Sequence, residues 1–458
     1  MKTTRRKLLG LGAAAIGAAT VSPRSVSALG AEEAKRAAGG GLTNWAGNYT
    51  YGVDTVHQAH SLADVRDVVR ATSRLRALGT RHCFNGIADS AHKLVSVRPM
   101  AEVVALDTEA KTVTVEAGMS YGQLSPDLHE KGFALHNLAS LPHISIAGAC
   151  ATATHGSGVG NANLASAVSG LEIVTASGEV RHLSRAKDGA VFQGAVVHLG
   201  ALGVVTKVTL DVEPTYLVRQ HVYLDLPMAE LGDHFDDIMS AGYSVSLFTD
   251  WQKGRVNEVW IKSRVEEGAS PEVAQELFGA KRASRNVHPI LELSAVHCTE
   301  QMGVAGPWYD RLPHFRMGFT PSSGKELQSE YFVPRRNAME AILAIERLRD
   351  QVGPHLMISE LRTIAADELW MSTAYGRDSL AIHFTWEQDW PAVRKLLPLI
   401  ERELSPFGVR PHWGKLFTIA PDVLQARYER LDEFKDLVAD FDPKAKFRNE
   451  FLSSTIYG

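Results

Sequence analysis

Cysteine is scarce: there are three in 458 residues, Cys83, Cys150 and Cys298, and no C-x-x-C pair. So low and odd a count argues against a disulfide scaffold and against a cysteine zinc site; no metal centre is expected. An excess of positive charge is also missing. With 48 Lys+Arg against 52 Asp+Glu and no lysine-rich tract, the chain lacks the electrostatic footprint of a nucleic-acid binder, and that class of partner is set aside. Its N-terminal apolar stretch, Leu8 to Val21, is too short and too rich in Gly and Ala for a transmembrane helix. There is no internal repeat, and no low-complexity tract beyond that stretch. The length suffices for two or three domains with a sizeable core.

The N-terminus reads as an address, not as part of the fold. Thr4-Arg5-Arg6-Lys7-Leu8-Leu9 is a twin-arginine pattern, followed by the apolar stretch and by Val26-Ser27-Ala28, a small-residue cleavage site. Gly10-Leu11-Gly12-Ala13-Ala14-Ala15 superficially fits a dinucleotide fingerprint, but no strand precedes it. A signal of this kind fits export of a protein that folds around its cofactor first. The expectation is a periplasmic or secreted monomer whose partners include the twin-arginine export machinery, with residues 1–40 as signal and linker.

The mature chain begins near Asn44-Trp45-Ala46-Gly47-Asn48. Leu62, Val65, Val68 and Val69 predict a helix over 61–75, opened by Ser61 and Asp64. Strands are expected at 103–106, 112–117 and 204–212, a capped helix at 120–131 ended by Gly132, and a hairpin at 172–183 around Ser177-Gly178. Pro214 closes this region. Beyond it, strands are expected at 217–224, 244–249, 257–262, 328–333, 356–363 and 379–386, with helices at 336–349 and 390–404. Many strands and few helices predict an α+β domain, its antiparallel sheet covered by helices on one side.

Two segments of the first half carry chemistry. In Ala77-Leu78-Gly79-Thr80-Arg81-His82-Cys83-Phe84-Asn85, a glycine-bearing turn can bring backbone N–H groups close to a pyrophosphate, with a histidine facing a cofactor ring. In Leu138 to Gly158, small and hydroxylic residues let the backbone approach a flat ligand and supply donors to it. The order G-x-x-H-x-F-N, S-L-P-H-I-S-x-A-G, T-x-T-H-G-S-G and then L-G-A-L-G-V-V (Leu199 to Val205) resembles the FAD-binding domain of the vanillyl-alcohol oxidase superfamily, in its sugar-oxidising branch. The resemblance implies FAD carried covalently by His82. It implies a pyrophosphate cradle from Ala77, Leu78, Gly79, Thr80, Arg81, His82 and Cys83. Further cofactor contacts are implied for Ser140, Ser145, Gly148, Thr152, Ala153, Thr154, His155 and Val205. The family pattern is G-x-G-H-S; here Arg81 stands for the second glycine and Cys83 for the serine. Either the turn does not need positive φ, or the cradle is altered, with Arg81 adding a cation near the pyrophosphate.

In the second half, Glu360 and Arg362 share one face of a strand, and His383 and Thr385 share one face of another, opposite Ile382, Phe384 and Trp386. Arg410-Pro411-His412-Trp413-Gly414-Lys415 gathers an aromatic ring, a histidine and a lysine at a glycine. E-x-R, H-x-T and H-W-G-K in this order resemble the alditol oxidases and the related sugar-1,4-lactone oxidases. The likeness to alditol oxidases continues through Cys298-Thr299-Glu300-Gln301, Pro307-Trp308, Thr320-Pro321-Ser322-Ser323-Gly324, Leu327 to Tyr331 and Ala374 to Asp378.

The resemblance implies an α+β, two-domain flavoprotein: a vanillyl-alcohol-oxidase-type FAD-binding domain at 41–214 and an antiparallel-sheet substrate (cap) domain at 215–458, with about 410–458 returning to the flavin site. It implies terminal oxidation of a polyol such as xylitol or sorbitol, with O2 reduced to H2O2. The alternative is oxidation of L-gulono- or D-arabinono-1,4-lactone. An alcohol that gives up a hydride and a proton needs cations near its oxygen, and Arg362 and Lys415 are the candidates. Glu360 is expected to orient Arg362 and accept substrate hydroxyls, while His383, Thr385 and Ser140 hold further hydroxyls. Lys415 and His383 are both candidates for the proton. His412 is expected against the flavin ring. Ala139 is expected near the flavin edge where O2 reacts.

Overall fold

The computed structural model describes residues 41–265, 273–317 and 325–458. The twin-arginine segment and Thr320 to Gly324 lie outside the described residues.

The first part of the described chain builds two sheets. Strand β1 (Val56–Gln58) leads into helix α1 (Leu62–Ala71), then come β2 (Arg76–Ala77) and β3 (Leu94–Ser96), which form a parallel sheet in the order β1-β3-β2. Ser61 caps α1 by accepting from Asp64 N, and Val65, Val68 and Val69 are buried, as their spacing requires. The helix is shorter than expected and stops at Ala71, where Thr72 turns extended and frees the chain to enter β2.

Next come β4 (Val103–Asp107), β5 (Thr112–Glu116), α2 (Tyr121–Glu130), α3 (Ile146–Ala151), β6 (Val168–Val174), β7 (Val180–Ser184) and β8 (Val204–Asp211). Their five strands form an antiparallel sheet in the order β4-β5-β8-β6-β7. Helix α2 opens with a reciprocal Ser120–Gln123 capping box and is followed by Gly132 at φ 84°.

The sheet changes after residue 214. Strand β9 (Leu217–Pro227), helix α4 (Met228–Met239), β10 (Ser244–Thr249), β11 (Arg255–Arg264), β12 (Glu326–Pro334), α5 (Ala338–Glu346), β13 (Leu356–Ile364), β14 (Ser379–Glu387), α6 (Trp390–Leu404) and β15 (Arg410–Pro411) follow. Their strands make a larger antiparallel sheet whose central order is β9-β11-β10-β13-β14-β12-β15. Helix α4 was not anticipated. The helix expected over 336–349 is broken: α5 ends at Glu346, and Leu348, at φ −91° and ψ 2°, starts a separate turn at 349–352.

One face of this sheet is apolar. Leu361, Ile382, Phe384 and Trp386 pack against Ile342 and Ile345 of α5 and Val393, Leu397 and Ile400 of α6. Full burial of side chains of this size stabilises by roughly 1.5–3 kcal/mol each. The opposite face is polar, and it too is buried: Glu330, Glu360, Arg362 and His383 are each less than a tenth exposed. The C-terminal part of the chain, including helix α7 (Leu431–Phe441), joins the core of the first part through Leu424, Phe434 and Phe441.

Candidate active site

A cavity of about 460 Å³ runs between the first two sheets and the polar face of the large one. Its first wall is the turn after β2. Ala77, Leu78, Gly79, Thr80, Arg81, His82 and Cys83 all line it, as do Ala139, Ser140, Ser145, Gly148, Thr152, Thr154, His155 and Val205. The wall has no room for larger residues: a Cβ on Gly79 or on Gly148 would sit 2.7 Å from Ser145 Oγ. Gly156, which follows the wall residue His155 but does not itself line the cavity, is tighter, with a Cβ meeting Leu138 O at 2.5 Å and Asn137 Oδ1 at 2.6 Å. Gly156→Ala is therefore expected to destabilise the protein by about 2–3 kcal/mol and lower its flavin content, checked by urea unfolding and absorbance at matched protein concentration.

Ala153 departs from its expected place. It is fully buried at φ 55°, and it packs into the core instead of lining the cavity. The left-handed backbone there turns its methyl inward while Thr152 and Thr154 on either side line the wall.

Arg81 answers the question its replacement of glycine raised. Its φ is 61°, so the turn does require the left-handed region, and a residue with a Cβ occupies it at roughly 1–2 kcal/mol. Its main-chain carbonyl accepts from Trp45 N at 2.8 Å, and its guanidinium donates to Thr43 O at 3.0 Å. These contacts tie the turn to the start of the domain.

Arg76, also on the cavity wall, is a buried cation whose hydrogen bonds go only to main-chain carbonyls: Gly200 O at 2.7 Å, Leu199 O at 2.8 Å, Phe447 O at 2.9 Å, and Ile87 O. Burial lowers its pKa to about 10, so it stays charged. A buried cation hydrogen-bonded to no carboxylate among the described residues favours an anionic ligand at this wall.

His82 stacks on Trp45 with ring centroids 4.6 Å apart, and its Nε2 lies 3.3 Å from His143 Nε2. Burial and the neighbouring His143 pull its pKa down to about 3, which keeps the imidazole neutral. Its Nδ1 is buried and makes no well-formed hydrogen bond among the described residues, although the Thr80 backbone acts on the ring against that burial. An orphaned, neutral ring nitrogen on a cavity wall is suited to a bond with an electrophilic carbon.

The second wall is the polar face of the large sheet. Sheet register explains why these residues meet: Glu360 stands opposite His383, His383 opposite Glu330, and Gln328 opposite Thr385. Directly opposed residues share a face, and so do residues two apart on one strand. Strand β15 pairs with β12 and leads straight to His412 and Lys415. The turn is held by Asn85, whose side-chain amide donates to Trp413 O at 2.9 Å and Lys415 O at 2.8 Å.

Glu330 is the centre of this cluster. It contacts Lys415 Nζ at 2.7 Å, Arg362 at 2.9 Å and His155 Nε2 at 3.3 Å. Against its burial, Lys415, His155 and Arg362 hold its carboxyl well below the usual range. Glu360 had been expected to orient Arg362; its nearer contact is His314 Nε2 at 2.7 Å, and it meets Arg362 Nε only at 3.4 Å. The carboxylate that grips Arg362 most closely is Glu330, which the strand order places two strands from β13. Arg362 also donates to Ser140 Oγ at 3.3 Å, which joins the two walls.

Lys415 Nζ lies 2.8 Å from His383 Nδ1, and His383 Nε2 lies 3.1 Å from Thr385 Oγ1. Burial and Lys415 pull His383 down to about 4, so its ring is neutral. Burial also lowers the pKa of Lys415, with Glu330 opposing. His412 is buried on the same wall, its Nδ1 accepting from Gly414 N at 3.0 Å.

Glu330 and His314 were missed as site residues. Glu330 had the same signal that exposed Glu360 and Arg362, a polar residue at i,i+2 from Gln328 in a strand. For His314 there was no local signal.

The family described as FAD binding domain matches residues 53–184, and the family described as D-arabinono-1,4-lactone oxidase matches 318–455. The chain is 45% identical over 420 residues to an alditol oxidase of Streptomyces sp., covering 91% of this chain and 99% of that protein. It is 28% identical over 433 residues to L-gulono-1,4-lactone dehydrogenase of Mycobacterium tuberculosis, covering 89% and 97%. Among solved structures, cholesterol oxidase from B. sterolicum superposes with a TM-score of 0.73 at 14% identity, covering 90% and 96%, which is a likeness of fold.

Fold and cavity together define an FAD-dependent oxidoreductase that acts on CH–OH groups. The neutral orphaned imidazole, the buried cation and the cradle that a Cβ would fill all suit that cofactor. The chain belongs to the alditol oxidase and sugar-1,4-lactone oxidase branch of the vanillyl-alcohol-oxidase-type flavoproteins.

Proposed function

We propose that this enzyme oxidises the terminal carbinol of a linear polyol, xylitol or sorbitol, to an aldose, with FAD bound covalently through His82. The observation that carries the reading is the convergence of Arg362, Lys415, His383, Thr385 and Glu360 on one wall of a cavity, with Ser140 on the facing wall, in a chain 45% identical to an alditol oxidase. FAD, when bound, takes the hydride from the carbinol carbon and passes two electrons to O2, giving H2O2.

The chain's own residues do the rest. Lys415 in its neutral form takes the hydroxyl proton; His383 is a poorer acceptor because its free lone pair already faces Lys415 at 2.8 Å. The ammonium so formed stays against Glu330. Negative charge developing on the substrate oxygen faces Arg362 and that ammonium, inside a dry wall where such interactions count most. Thr385, Ser140 and Glu360 bind the remaining hydroxyls, which sets a preference for polyols over mono-alcohols. Ala139 and His412 line the same cavity. A residue as small as Ala139 near the flavin edge leaves room for O2.

His82→Ala is expected to yield protein whose flavin leaves completely on denaturation, whereas the wild type keeps it through acid precipitation. Wild-type protein that releases its flavin under the same treatment would refute the covalent link. Export follows the twin-arginine pattern in this reading, and replacing Arg5 and Arg6 by Lys is expected to trap folded holoenzyme inside the cell. A monomer is expected in light scattering.

The deciding assay is peroxide release on xylitol and sorbitol beside L-gulono- and D-arabinono-1,4-lactone. Preference for the polyols is expected. Preference for a lactone would move the protein to the other reading, which the lactone-oxidase match over 318–455 favours. No peroxide on all four, with flavin bound, would overturn the polyol oxidase reading and point to an acceptor other than O2, as in a lactone dehydrogenase, or to lost catalysis.

A further inference from the structure

Lys262 is 1% exposed, and it does not line the cavity. Strand β11 nevertheless places it on the polar face: Lys262 stands opposite Ser244, Ser244 and Ser246 are two apart on β10 and share a face, and Ser246 stands opposite Arg362. Its Nζ meets three acceptors, Leu312 O, Pro313 O at 3.2 Å and His314 Nδ1 at 3.0 Å. An ammonium has three protons and no lone pair, so all three are used and His314 Nδ1 must accept. The ring proton of neutral His314 is therefore on Nε2, which donates to Glu360 Oε1 at 2.7 Å. Glu360 and His314 line the cavity; Lys262 stands behind them.

We propose that Lys262 is a positioning residue of the oxidation, one that acts through His314 to fix the tautomer of that ring and so hold Glu360 ionised and oriented toward the substrate. This rests on the reading of Glu360 as a substrate-binding carboxylate. Replacing the ammonium by a neutral amine removes the constraint. The amine can accept from His314 Nδ1–H, which leaves an Nε2 lone pair against Glu360 and breaks that contact.

Burial drives the pKa of Lys262 down to about 7, with Glu360 and Cys298 opposing and Arg362 reinforcing. The titratable groups that face it are His314, Glu360, Arg362 and Cys298, with Glu258 four residues earlier on the same face of the strand. Burial drives Glu258 up to about 8, and burial and Lys262 pull His314 down to about 4. In the range 6–8 the ring of His314 is thus neutral throughout, and Glu258, which is bonded to Trp260 Nε1 and not to this chain of contacts, does not enter the relay.

The test uses the holoenzyme. In the wild type, kcat/KM for the best polyol is expected to fall by about tenfold as pH rises through about 7. Lys262→Met is expected to be about tenfold less active at pH 6 and to lack that limb. His314→Leu is expected to behave like Lys262→Met. His314→Gln, whose amide can accept from Lys262 and donate to Glu360, is expected to recover most of what His314→Leu loses. A Lys262→Met enzyme with a wild-type pH profile, or a His314→Gln enzyme no better than His314→Leu, would overturn the proposal.

A readout independent of turnover separates this from the choice of substrate. The 15N shifts of the wild-type His314 ring, assigned by their loss in His314→Gln, are expected to report an Nε2–H tautomer at pH 6 that is lost by pH 8. An unchanged tautomer across that range overturns the proposal even if Lys262→Met and His314→Leu fail to fold. A changed tautomer in a protein inactive on polyols would instead fault the substrate assignment.

Discussion

Arg362→Met is expected to lower kcat/KM for the preferred polyol by about 100- to 1000-fold, with flavin still bound. The guanidinium touches Glu330, Glu360 and Ser140 together. Its charge is secure: against desolvation, Glu360 and Glu330 push its pKa up. Removing it takes away the fixed cation beside the reacting oxygen and leaves two buried carboxylates with less compensation. Arg362→Lys keeps the charge but loses the planar fork, and partial recovery is expected. Stopped-flow reduction of the flavin by substrate under anaerobic conditions makes the measurement, because it isolates the step Arg362 serves. A wild-type reduction rate in Arg362→Met would remove Arg362 from the mechanism.

Glu330→Gln is expected to have the second largest effect, and it acts on both stability and rate. The Glu330 carboxylate is fully buried and sits between Lys415, Arg362 and His155. Removing its charge leaves two buried cations without their shared partner, at about 3–5 kcal/mol. The sign with pH follows from its depressed folded-state pKa. The stabilisation is fully present above the ordinary carboxylate range and is lost as pH falls through the depressed value. The gap between wild type and Glu330→Gln should therefore be constant at neutral pH and narrow in acid.

The kinetic consequence has a sign as well. Glu330 opposes the lowering of the Lys415 pKa by burial. Without the carboxylate, Lys415 titrates at lower pH, and the acid limb of the reduction rate is expected to shift in that direction while the maximum falls by about 100-fold. A limb that stays in place would remove Lys415 as the proton acceptor.

How much of this was legible beforehand can be followed strand by strand. The alternation in 356–363 and 379–386 sufficed to place Glu360 with Arg362 and His383 with Thr385, because side chains two apart on a strand share a face whatever the rest of the chain does. It did not say that this face is buried. Antiparallel sheets commonly turn a polar face to water; here that face is closed by the first two sheets and the C-terminal return. The helix at 390–404 was readable from its period and from Asp389, which caps it. Leu431, Phe434, Leu437, Val438 and Phe441 also follow a helical period and form α7, and that signal was passed over. The turn at Arg81 had two conformations open to it, and the left-handed one appeared only with the contacts to Thr43 and Trp45 in view.

By itself the sequence determined the local periods, the caps, the glycines that a close approach demands, and the motif order that marks the flavoprotein branch. Each of these depends on neighbours a few residues apart or on residue types in a row. Only the tertiary structure decided that Glu330 is the hub of the cluster, that Ala153 packs away from the cofactor wall, and that Lys262 reaches Glu360 through His314. Those facts depend on strand order and cross-strand register over the large sheet. Pairings such as Lys262 with Ser244, and Ser246 with Arg362, are set by long-range packing and leave no trace in the spacing of residues along the chain.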